Sequence, residues 1–124
     1  MRRWVLVPCV INKNIPAEII KTFGDDMITK IKRLSESLIT NYANERQVRL
    51  TYAEIENNVK EFISEYDEED EVYLLLGGGI LQCVFAKSVL DRHGIKYKML
   101  VFEKKIGRYA VIDYDEGNGE ITVS

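Results

Sequence analysis

The run Glu71-Val-Tyr-Leu-Leu-Leu-Gly-Gly-Gly-Ile-Leu-Gln-Cys83 constrains the fold more than any other stretch. Six residues of buried-strand character end in three glycines, and an apolar helical pattern starts at once. Strand, tight turn and helix in that order begin a parallel crossover. A glycine turn also strips side chains from the helix N-terminus, where unpaired N–H groups and the helix dipole favour anions. Gly77-Gly78-Gly79 has neither the G-x-G-x-x-G spacing of a dinucleotide fingerprint nor the Gly-Lys-Ser/Thr of a P-loop. The turn therefore fixes where a phosphate-bearing ligand would sit, without naming it.

The rest of the chain, 124 residues in all, reads as one domain spanning 1–124 around this unit. Trp4 to Ile11 is a near-continuous apolar strand suited to burial on both faces, with Pro8 suggesting a bulge or an edge position. Asn12-Lys13-Asn14 is the loop that leaves it. Pro16 favours a first helical turn, and apolar residues from Ile19 to Ile39 keep helical spacing. They predict a helix to about Tyr42, kinked or split at Gly24-Asp25-Asp26. Gln47 to Thr51 reads as a short strand, and Thr51-Tyr-Ala-Glu54 as a capping box opening a helix from Tyr52 to about Tyr66. The acidic run Asp67 to Glu71 reads as a solvated connector. After the strand Val72–Leu76 come a helix over Ile80–His93 and strands over Lys96–Phe102, Arg108–Asp113 and Ile121–Val123. The turns Glu103–Gly107 and Asp115–Gly119 join these last strands. The order predicts an α/β fold: a Rossmann-like three-layer sandwich, its sheet mostly parallel, with C-terminal antiparallel hairpin strands.

Ligands of open parallel sheets bind beyond the carboxyl ends of the strands. Three segments meet that edge: Asn12-Lys13-Asn14, Gly77–Gly79, and Glu103–Gly107 with Lys104, Lys105 and, just beyond, Arg108. A bare glycine turn and several cations thus share one rim, although the net charge is −3. Each residue also has an ordinary role. The glycines allow close helix–strand packing, and Asn12 and Asn14 suit helix capping. Lys13, Lys104, Lys105 and Arg108 are solubilising cations, and Gln82 can face solvent. His93, the single histidine, ends the helix that starts at Ile80 and so belongs at the opposite edge. Cys9 and Cys83 lack metal-ligand spacing and read as reduced, buried, small hydrophobes. No metal or cofactor is expected. No apolar run approaches the ~18 residues of a membrane span, and the negative charge argues against coating a long nucleic acid. A cytoplasmic protein is expected. Its wealth of Lys, Glu, Ile and Tyr, with little Gln, is of the kind found in thermophiles.

The stretch from Thr51 to Asp113 resembles the CARF (CRISPR-associated Rossmann fold) domains. The resemblance rests on an acidic connector, the strand VYLLL, the turn and helix GGGILQCVFAKSVLDRHG, the strand YKMLVFEK and the aromatic hairpin strand GRYAVID. The opening VLVPCVINKN also suits that family. It implies a homodimer that binds cyclic oligoadenylate across its two-fold axis, with contacts from Asn12, Lys13, Gly77, Gly78 and Gly79. The family's glycine pair is usually followed by Ser or Thr and then Lys, whereas Gly79-Ile80-Leu81 stands here. The charge missing from that motif would have to come from Lys13 or from Lys104 and Lys105. A chain with no room for an effector domain looks like a ring nuclease of type III CRISPR signalling. In that reading the ribose 2′-OH attacks the adjacent phosphorus without a metal. Lys13 and the glycine-turn N–H groups stabilise the phosphorane, while Gln82 or Asn12 orients the nucleophile. With no evident general base, turnover would be slow. The alternatives are a non-catalytic sensor or sponge for nucleotides, and a structural interaction protein.

Overall fold

The computed structural model describes residues 1–11 and 14–124; Asn12 and Lys13 lie outside the described residues. The elements are β1 (Arg3–Val7), α1 (Ile15–Phe23), β2 (Thr29–Arg33), α2 (Glu45–Glu65), β3 (Glu71–Leu76), α3 (Ile80–Arg92), β4 (Lys98–Glu103), β5 (Arg108–Asp115) and β6 (Glu120–Val123). They form an α/β structure with one six-stranded mixed sheet in the order β2-β1-β3-β4-β5-β6. The first four of these are parallel, and β5 and β6 add antiparallel ladders.

Side chains alternate across a strand, so β1 and β3 divide between two cores. Trp4, Leu6, Val72 and Leu74 meet Ile55, Val59 and Phe62 of α2 and Ala86, Val89 and Leu90 of α3. Val5, Val7, Tyr73 and Leu75 meet Ile15 and Ile19 of α1, together with Leu100 and Tyr109. The helices therefore cover both faces, which is why these two strands read as unbroken apolar runs. Each such side chain contributes about 1.5–3 kcal/mol on burial. Pro8 follows the last ladder residue of β1, where its missing N–H costs nothing, so β1 is central.

The sequence expectation fails between Gly24 and Thr51. Instead of one long helix to Tyr42, α1 stops at Phe23. Gly24 takes the left-handed conformation (φ 62°) and gives its N–H to the Ile20 carbonyl at 2.9 Å. The spacing of Ile28, Ile31 and Leu34 imitates a helix, yet Thr29–Arg33 pairs in parallel with β1. Lys30, Lys32 and Arg33 keep this strand polar, as an edge strand needs. Gln47–Thr51 is helix rather than strand. Asn44 caps α2 by accepting the Gln47 N–H at 3.1 Å. The expected capping box is not used: Thr51 is buried inside α2, and Glu54 accepts from the Ser35 hydroxyl (2.9 Å) and the Glu36 N–H (3.2 Å).

Candidate functional site

The parallel ladders bring the strand exits to one edge. Leu6 pairs with Leu74 and Leu76 with Val101, so the segments after β1, β3 and β4 leave the sheet side by side. Extending the first register by three residues sets Cys9 beside Gly77, and the two are in contact.

The turn between β3 and α3 differs from the starts of the other helices. Asn14 and Asn44 cap α1 and α2 with their side chains, but α3 begins at Gly79 with no side-chain cap. The first N–H groups of a helix have no intrahelical partner, and here they sit beside a half-open glycine turn. Gly78 has φ 77°, and a Cβ there would lie 2.4 Å from Cys9 Sγ and 2.9 Å from Ile11 Cγ2. A glycine is required at that position on both counts. At Gly79 a Cβ would meet the Gln82 carboxamide, whose Oε1 would be 2.1 Å away.

Gln82 is the least expected feature. It is 3 % exposed, and its Oε1 is buried without a hydrogen-bond partner among the described residues. Leaving a buried polar group unpaired costs about 1–3 kcal/mol, so an unused carboxamide against an uncapped helix start is held there at a loss. The ordinary alternative for Gln82, facing solvent, is not what the structure shows.

The glycine-turn amides are not all free. The Gly79 N–H donates to Cys9 Sγ at 3.1 Å. The Cys9 thiol donates to the Gly77 carbonyl at 2.9 Å, and the Cys83 thiol reaches the same oxygen at 3.7 Å. A hydrogen bond from Cys83, opposed by burial and aided by the Gly79 N–H, draws the Cys9 thiol down to about 6. The same contact and burial push Cys83 up. Both cysteines are free, as expected, with Cys9 buried and Cys83 half-buried rather than buried; their shared contact with the Gly77 carbonyl was not foreseen.

Beside the turn is an apolar cavity of about 380 Å³, lined by Leu76, Gly77, Gly78, Ile80, Val84 and Met99 among others. A larger groove of about 770 Å³ lies by β2, where Lys32 pairs with Glu61 at 2.7 Å. Of the remaining candidates, Asn14 has its Oδ1 committed to the Ala17 N–H at 3.2 Å. Lys104 and Lys105 lie exposed in the β4–β5 turn with no ion-pair partner among the described residues. Arg108 begins β5 and donates to the Tyr109 carbonyl at 3.0 Å. Asn12 and Lys13, both also expected in catalysis, are outside the described residues. His93 closes α3 at its far end.

Among the described residues, no group of His, Cys, Asp and Glu could hold a metal ion, and no helix is long and apolar enough to cross a membrane. No protein-family model matches the chain, and no curated protein matches it closely enough to count as a relative.

Proposed function

We propose that the protein binds a phosphate-bearing nucleotide, in the manner of a CARF domain with cyclic oligoadenylate, at the carboxyl edge of its sheet. The observation that carries the reading is the uncapped start of α3 at Gly79 with the unpaired, buried Gln82 carboxamide against it. Uncapped N–H groups suit phosphate oxygens, and the carboxamide suits a ribose hydroxyl or a base amine. The adjoining apolar cavity offers a wall for a base. Lys104 and Lys105 add positive charge on the turn that follows the neighbouring strand β4.

A Rossmann-like arrangement and a homodimer belong to this reading. Exposed Ile80, Val84, Tyr114, Ile121 and Val123 offer apolar surface for a second copy. In a ring-nuclease reaction the 2′-OH attacks its neighbouring phosphorus and the 5′ oxygen leaves, giving a 2′,3′-cyclic phosphate end. The N–H groups of Ile80 to Gln82 and Lys13 would hold the phosphorane charge, and Gln82 or Asn12 would align the hydroxyl. Binding draws more support than cleavage, because two of the three residues assigned to cleavage are outside the described structure. The test incubates pure protein with labelled cyclic tetra- and hexa-adenylate in EDTA. Linear products ending in 2′,3′-cyclic phosphate support the nuclease, and binding without products supports a sensor or sponge. If neither products nor binding are found, the nucleotide reading fails and the glycine turn is a packing device.

A further inference from the structure

We propose that Cys9 and Cys83 form a dithiol switch at the glycine turn, closed to an intramolecular disulfide by a small hydroperoxide. The two thiols share one acceptor, the Gly77 carbonyl, at 2.9 and 3.7 Å, which holds both sulfurs beside the same oxygen. They arrive from different elements: Cys9 from the segment after β1, Cys83 from the first turn and a half of α3. The Gly79 N–H at 3.1 Å stabilises a thiolate on Cys9, the form that reacts. Cys9 is 2 % exposed, so only an oxidant near the size of water reaches it, across a turn that carries no side chains.

The chemistry balances with the hydroperoxide as oxidant. Cys9 Sγ attacks one peroxide oxygen, the O–O bond breaks, and the other oxygen leaves and takes up a proton as water or an alcohol. The Cys9 sulfenic acid so formed is attacked by Cys83 Sγ. The S–S bond forms, the S–O bond breaks, and the hydroxyl leaves as water with the Cys83 proton. Two electrons pass from the thiols to the peroxide, and a dithiol reductant reverses the step.

Oxidation changes the turn in two ways. It ties the segment after β1 to the start of α3. It also turns the Cys9 sulfur that accepts the Gly79 N–H into a weaker disulfide acceptor, so that amide becomes available to an anion. The inference stands whether or not the protein binds nucleotides, since every readout concerns the protein alone.

The experiment treats the full chain with excess hydrogen peroxide, then removes the oxidant. We expect the intact mass to fall by two hydrogens and thiol titration under denaturing conditions to find no free thiol. Peptide mapping should join Cys9 to Cys83, and dithiothreitol should restore the starting protein. The amide resonance of Gly79 should move on oxidation and return on reduction. In Cys83→Ser, dimedone should trap a sulfenic acid on Cys9. Cys9→Ser, with the less activated thiol left, should give little adduct. Thiols that stay free, cross-linked dimers in place of the internal bond, direct passage to sulfinic acid, or an unmoved Gly79 amide would each overturn the switch.

Discussion

The two edges of the parallel sheet handle charge in opposite ways. At the amino edge the two most buried charged side chains, Arg3 and Asp70, are held by several partners each, although Arg3 Nε has no hydrogen bond among the described residues. Arg3, 3 % exposed, holds Asp25 through two bonds (2.5 and 3.1 Å), lies 3.7 Å over the Phe23 ring and reaches Glu71 at 3.7 Å. Asp70 accepts the Arg2 N–H (2.9 Å), the Trp4 indole N–H (3.0 Å) and the Asp67 N–H (3.0 Å), and pairs with the Arg2 guanidinium at 3.3 Å. At the carboxyl edge the start of α3 is uncapped, the Gln82 carboxamide is unpaired, and Lys104 and Lys105 stand alone among the described residues. Charged groups paired several times over fix strand ends; open groups at a strand exit are what a ligand can complete. The difference assigns structure to one edge and recognition to the other, and each half of that assignment can be broken separately.

The largest effect should come from the amino edge. Asp70→Ala leaves the Trp4 indole and two backbone N–H groups without their acceptor, and should cost about 3 kcal/mol, read by urea unfolding at neutral pH. Hydrogen bonds from Asp67, Trp4 and Arg2 outweigh burial and hold the Asp70 carboxyl well below the usual carboxylate range. The unfolded chain therefore binds this proton first as pH falls. The stabilisation is complete above the unfolded value of about 4 and is lost progressively below it. The wild type should weaken in acid more steeply than the Asp70→Ala variant, and nucleotide affinity at neutral pH should not change. A loss of affinity with stability intact would reverse the assignment of this edge.

Gln82→Met is the mirror experiment. Removing an unpaired buried acceptor while keeping the side-chain volume should leave stability unchanged or raise it by about 1 kcal/mol, measured by thermal unfolding. Affinity for cyclic tetra-adenylate should fall roughly tenfold, as for one lost hydrogen bond. A destabilised variant that binds normally would make Gln82 a structural residue.

The smallest effect belongs to Lys104→Ala/Lys105→Ala. These exposed, unpaired cations should be neutral for stability, yet lower affinity by about threefold at low salt and flatten its salt dependence. Unchanged salt dependence would remove them from the site.

What the sequence reveals of this contrast is uneven, for physical reasons. The β3–glycine–α3 unit and the C-terminal hairpins were legible because strand burial and turn glycines are local signals. The β2 strand was hidden because an edge strand of five residues, TKIKR, carries too little apolar pattern to outweigh an accidental helical spacing. Asp70 looked like one more solvated carboxylate in an acidic run, since its partners Arg2 and Trp4 are more than sixty residues away. The rim of glycines and cations could be placed from topology alone. The sulfur contacts depend on how β1 registers against β3, and the burial of Gln82 on how α3 packs, neither of which a local pattern prints.

The most direct test follows backbone amide resonances while cyclic tetra-adenylate is titrated into the protein in EDTA. We expect saturable shifts at Gly77, Gly78, Ile80, Leu81 and Gln82, with smaller ones at Lys104 and Lys105, and none at Arg2, Trp4 or Asp70. Shifts centred on the amino edge, or none at any concentration of the nucleotide, would contradict the assignment of recognition to the glycine turn.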